Sequence, residues 1–283
     1  MERITFINSN GDSVSLGRAA PFFLKELEGT GGVTADIQTQ KAPYQDGTTY
    51  IDALLEPRFL LLDVAIMAES NERLYQHRRK LAQVFNPKLG PGLLRYEYDG
   101  GAKEIEAVAE LAPDFPTGRD NRAPGFQRAI LSLVCPSPFW LDDYTVSEEI
   151  VTWIGGMRFP WRLPSKFAMK GPSIINIVNR GDVDTPVRIA FQGPATNPKI
   201  SNNTTGEFIQ VNRELLAGDV LIITTDFGAK RVEINGENVF NWIDLGSDFW
   251  QLQPGDNIVE YSSDDPVESA AVTISYRNRY VGV

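Results

Sequence analysis

Apolar side chains recur at every second position along short segments of this chain, and Gly, Pro, Asn and Asp interrupt the segments at close intervals. Period-two alternation puts one face of an extended segment in a core and the other in water, so the pattern dictates strands. Leu60, Leu62, Val64 and Ile66 share one face of a long strand over 58–68, and the apolar Leu61 on its other face places that strand centrally in a sheet. Along 103–111, Ile105, Ala107, Ala109 and Leu111 alternate with Glu104, Glu106 and Glu110. The other strand segments in the first half are 3–7, 21–27, 93–98 and 126–135.

After Asp142-Asp143 nearly every segment reads as a short strand: 144–154, 173–179, 186–192, 208–212, 220–225, 230–234, 249–252, 257–261 and 271–280. Arg180-Gly181-Asp182, Thr205-Gly206, Asn235-Gly236 and Pro254-Gly255 separate them as turn signals. Regular spacing of this kind predicts a β-sandwich. One helix is expected, at about 71–85. Ser70 or Asn71 can accept a hydrogen bond from its first free N–H groups. Leu74, Leu81, Val84 and Phe85 supply its apolar stripe, and Asn86-Pro87 ends it. The expected fold is therefore mainly β with one α-helix. Two domains are expected, residues 1–141 and 142–283, divided after Pro136-Ser137-Pro138-Phe139-Trp140.

Composition closes most catalytic options. The single histidine, His77, sits mid-helix, so a His-dependent nucleophile and a His-rich zinc site have no basis. The single cysteine, Cys135, ends an apolar strand and reads as a buried hydrophobe. It also rules out an intrachain disulfide. Phosphate-loop and dinucleotide motifs are absent, and Gly29-Thr30-Gly31-Gly32 precedes a strand, not a helix. Paired carboxylates such as Asp142-Asp143 and Asp264-Asp265 fall in turns. No cofactor is expected. The formal charge of −10 opposes binding to nucleic acid or to an anionic membrane surface. The N-terminus has no signal-peptide pattern, and no segment reaches the ~18 apolar residues of a membrane span.

Several stretches together resemble the distal tail (Dit) proteins, or siphovirus tail components, of long-tailed phages and prophages. They are Phe85-Asn86-Pro87-Lys88 with Gly92-Leu93-Leu94-Arg95-Tyr96-Glu97-Tyr98-Asp99-Gly100, the junction Cys135 to Asp142, Ile177 to Asp182 with Thr185-Pro186, Asn197 to Asn202 with Thr204-Thr205-Gly206, and Ser247 to Trp250 with Leu252 to Asn257. The resemblance implies an N-terminal β-barrel or sandwich-like domain that builds a hexameric ring. It implies a galectin-like or carbohydrate-module-like C-terminal β-sandwich facing outward. The ring would sit at the virion tail tip, after synthesis in the bacterial host cytoplasm, and let DNA pass. Implied partners are the tail tube protein, the tape-measure protein, the tail-associated lysin or fibre hub, and a receptor-binding protein.

Ring building needs an element that reaches a neighbour. The polar but alternating stretch 31–50 is the candidate, turning near Lys41-Ala42-Pro43, with Val33, Ala35, Ile37, Gln38, Tyr44 and Tyr50 as interface residues. The Glu104/Glu106/Glu110 face is a candidate acidic lining for the lumen. Trp153, Trp161 and Trp242 are candidates for contact with a sugar or a partner. The competing readings are a carbohydrate-binding module or adhesin built on the second domain, and a glycosidase working through carboxylates.

Overall fold

A computed structural model describes residues 2–151, 153–154, 169–170, 173–264 and 270–283. The chain is mainly β and forms two compact units, Met1–Asp143 with Tyr280–Val283, and Tyr144–Arg279. Residues 142–143 and the last four residues thus belong with the first unit.

The first unit contains β1 (Arg3–Ile7), β2 (Ser13–Leu16), β3 (Phe22–Glu28), β4 (Ala35–Gln40), β5 (Thr49–Leu55) and β6 (Arg58–Met67), then α1 (Asn71–Val84). β7 (Gly92–Tyr98), β8 (Gly101–Ala109), β9 (Arg122–Ala123), β10 (Phe126–Cys135) and β11 (Trp140–Asp142) follow. The main sheet runs β2-β1-β7-β8-β10-β6-β3, with β11 beside β8 and β9 beside β10. Its two ends meet, because Gly17 N–H donates to Phe22 O and Leu24 N–H donates to Gly17 O. A sheet whose edges bond to each other is barrel-like and leaves few free backbone groups. β6 is central, between β10 and β3, and buries Leu60, Leu62, Val64 and Ile66.

Helix α1 is capped by Ser70, whose side chain accepts from Arg73 N–H. It buries Leu74, Leu81 and Val84, and the next residue, Phe85, stacks on Phe6 with ring centroids 4.7 Å apart. β8 buries Ile105, Ala107 and Ala109 but stops there, so Leu111 lies beyond the strand and is exposed. Glu104 is not a bare surface charge. The register sets it opposite Arg95, which it meets at 3.5 Å, and it is buried.

The second unit is a sandwich. One sheet has the order 146–151, 271–276, 187–192, 220–224, 231–234, 237–238, and the other the order 174–179, 255–262, 199–202, 207–210. Inward residues of both make its core, among them Ile189, Phe191, Ile223 and Ile274 from the first, and Ile177, Ile200, Ile209 and Val259 from the second. Asn235 and Gly236 both take positive φ in the hairpin after 231–234, as a type I′ turn demands. The expected strand at 249–252 is not formed. Trp250 is buried as a core anchor there, and Leu252 makes only an isolated bridge to Thr185.

Candidate assembly interface

β4 and β5 pair with each other and, among the described residues, with no other strand. Residues 33–57 therefore form a two-stranded arm, and almost every residue on it is exposed. The turn is longer than the sequence implies, running from Lys41 to Thr48. It is tied by Gln45, whose Oε1 accepts from Ala42 N–H at 2.9 Å and whose Nε2 donates to Thr49 Oγ1 at 3.0 Å. Tyr44 stands fully in solvent at the tip with φ +64°.

The register separates the two faces of the arm. Ala35 opposes Leu55 and Ile37 opposes Ala53, which makes one face apolar. Asp36 opposes Leu54 and Gln38 opposes Asp52, which gives the other face two carboxylates around a leucine. Ile37 is 61 % exposed and Tyr50 62 %. Ile51 and Leu54 are equally open, although the sequence reading singled out neither. For Ile51 the signal was the alternation Ile51, Ala53, Leu55 along β5, whereas Leu54 lies on the opposite face.

The arm is exposed at its tip and fixed at its root. Arg58, only 1 % exposed, follows it directly. Its Nε donates to Pro138 O at 2.9 Å, its Nη1 to Thr30 O at 3.0 Å and to Gly29 O, and its Nη2 to Val281 O. Trp140 Nε1–H also donates to Thr30 O, at 3.0 Å. Gly29 has φ +93°, and a Cβ there would lie 2.0 Å from Phe59 O, so only glycine fits. Burial pulls the Arg58 guanidinium pKa down, although arginine remains charged.

The outer face of β6 is a second open apolar surface, with Phe59, Leu61 and Met67 exposed. Between Leu61 and Met67, Asp63 pairs with Arg128 at 3.0 Å and Lys25 at 3.4 Å. Partial burial works to raise the Asp63 pKa, but Arg128 and Lys25 outweigh it and hold the carboxyl below its ordinary value.

The candidate residues Val33, Ala35, Ile37, Gln38, Tyr44 and Tyr50 all fall on or at the base of the arm, with Val33 half-buried just before β4. Trp242 is 42 % exposed in the second unit, with the Arg213 guanidinium 5.1 Å from its ring centroid. Trp153 lies in the short pairing of 153–154 with 169–170. Trp161 falls outside the described residues. Cys135 is buried, and burial pushes its thiol up to about 12. A thiol so held stays protonated and unreactive at neutral pH. Among the described residues, no three His, Cys, Asp or Glu side chains gather as a metal ion would require, and no helix is long and apolar enough to cross a membrane.

The comparisons with known proteins match both halves of the chain. Residues 9–135 match the family model of the phage tail protein RIFT-related domain. Residues 180–280 match the model of the siphovirus-type tail component, C-terminal domain. The chain belongs to the siphovirus tail-component family of distal tail proteins. No curated protein sequence matches this tail component. Its fold is similar to that of the Dit protein of phage SPP1, described as a paradigm of the hub adsorption apparatus in phages infecting Gram-positive bacteria. The TM-score is 0.71 at 15 % identity, over 98 % of each chain. A chain of the phage p2 baseplate in its strontium-activated conformation is also similar, with TM-score 0.57 at 11 % identity over 100 % of both chains. The calcium-activated baseplate gives 0.54 at 11 % identity over 100 % and 99 %. This distal tail protein is a structural component of a phage tail, not an enzyme.

Proposed function

We propose that this tail component assembles into a hexameric ring through the arm β4–β5, and that the ring is the hub at the distal end of a phage tail. The observation that carries the proposal is the arm itself. An isolated two-stranded ribbon is marginal in water, because it has no second layer on which to bury its apolar face. Ala35, Ile37, Ala53 and Leu55 make such a face, and only the arm's root is held within its own unit. A neighbouring copy supplies the missing layer. Contacts of this kind are heterologous, and they close into a ring when the rotation permits.

The hub joins the tail tube and tape-measure proteins on one side to a lysin or fibre hub and a receptor-binding protein on the other. DNA leaves through its lumen. The acidic balance of the chain keeps the passing polyanion from adhering. Of the three glutamates on β8 and just past it, Glu106 and Glu110 are exposed enough to serve in that lining, whereas Glu104 is buried against Arg95. Deleting residues 32–49 tests the reading. Light scattering should find rings for the wild type and monomers for the deletion, and unchanged mass would remove the arm from the interface.

A further inference from the structure

The arm and helix α1 are oppositely charged. Between residues 33 and 57 the arm carries four carboxylates, Asp36, Asp46, Asp52 and Glu56, against one cation, Lys41. Residues 69–80 and 118–122 carry six cations, Arg73, Arg78, Arg79, Lys80, Arg119 and Arg122, against three carboxylates. In a chain of formal charge −10 such a concentration of positive charge stands apart.

Two of these cations, Arg78 and Arg122, converge on Tyr75. Arg122 Nη2 donates to the Tyr75 hydroxyl at 2.8 Å, which draws the loop before β10 against the helix. The Arg78 guanidinium lies 5.1 Å from the Tyr75 ring centroid and 4.4 Å from that of Phe115. Gly125 N–H donates to Asn71 Oδ1 at the start of the helix. Tyr75 remains half exposed in the middle. Arg73, Arg79 and Arg119 are exposed and form no ion pair among the described residues. The arm's Asp36, Asp46 and Glu56 likewise form none among the described residues.

The dimensions agree. Helix α1, with 14 residues, is about 21 Å long at ~1.5 Å per residue. Strand β5, with seven residues, spans about 23 Å at ~3.3 Å per residue.

We propose that, while a neighbouring copy covers the apolar face of the arm, the opposite face bearing Asp36, Asp52 and Leu54 lies along helix α1 of that same copy. Its carboxylates meet Arg79 and Arg119, and Leu54 packs on Tyr75 and the aliphatic stem of Arg78. This seat rests on the reading of the arm as the neighbour-clasping element. It gives each ring contact a direction, because arm and helix are different surfaces and each copy offers one of each.

A charge-swap experiment on the full chain tests it, with assembly followed by mass photometry across a concentration series at ~100 mM salt, where exposed pairs are only partly screened. One variant carries Arg79→Glu with Arg119→Glu, a second Asp36→Lys with Asp52→Lys, and a third all four changes. All four positions are on the surface, and circular dichroism checks that each variant folds. Each reversal should move the assembly midpoint up by roughly tenfold or more, and the combination should return it to within about threefold of wild type. Assembly that ignores both reversals, or a combination no better than either alone, overturns the seat on α1. Loss of rings on deleting 32–49 would then still uphold the arm. A wild-type chain that stays monomeric at every concentration removes both. Duplex DNA that binds the wild type and is released by the helix reversal, with assembly untouched, assigns the patch to phosphate and overturns the proposal.

Discussion

Arg58 carries a charge buried without a carboxylate partner, and it is satisfied by carbonyls of Gly29, Thr30, Pro138 and Val281. These come from the segment before the arm, the segment before β11 and the C-terminal tail, so one side chain ties three parts of the first unit together. Replacing it with methionine keeps the volume and leaves the carbonyls without donors. Arg58→Met should cost on the order of 3 kcal/mol, measured by urea unfolding, because each orphaned buried acceptor carries a desolvation penalty. Asp63 makes a pH prediction. Its folded pKa is depressed by Arg128 and Lys25 against the opposing effect of burial. A depressed carboxylate contributes stability above its unfolded pKa, about 3.9, and loses that contribution as pH falls through the folded value. Asp63→Asn should therefore melt below wild type at neutral pH, and the gap in Tm should close as the pH drops below that range. A gap that persists unchanged in acid would show that the pair is not the cause.

Among the elements, β6 and α1 were legible from the sequence, because each announces its period: alternation in β6, and a capped apolar stripe with a proline stop in α1. The arm was legible as a strand pair and as the candidate to reach a neighbour, but not in how fully it stands exposed. Sequence alternation shows that one face is apolar without showing whether anything covers it. The segment at 249–252 misled for a related reason. Its aromatic and apolar residues suit a strand, but Trp250 enters the core from irregular backbone, and a single bridge to Thr185 replaces a ladder. The arm's marginal stability is itself measurable. By hydrogen exchange, amides of β4 and β5 should exchange quickly in dilute monomer, where no second layer protects them, and should slow in the assembled form. Equal protection in both forms would place the contact elsewhere.

At the scale of the whole molecule, two units with separate cores follow one another, and the chain returns to the first at Tyr280. Tyr280 lies 3.6 Å by ring centroid from Lys103 Nζ, and Lys103 pairs with Asp142 at 2.5 Å. The tail is thus fastened beside the strand that ends the first unit's own run. The net charge makes the last prediction. Fluorescence anisotropy with duplex DNA at ~100 mM salt should show no saturable binding to the full chain, since phosphate affinity comes from protein cations displacing the counterions condensed on DNA, and this chain carries a net charge of −10.

The sequence alone determined the β class, the single helix, the turns at Gly and Asn-Gly, and the lack of residues for His or Cys chemistry. These are local consequences of period, backbone freedom and residue count. Only the tertiary structure decided that the arm stands free, that Arg58 fixes its root, that Glu104 is buried against Arg95, and that Arg78 and Arg122 meet at Tyr75. Each depends on which distant segments the sheet register brings side by side, and register is set by the packing of the whole unit.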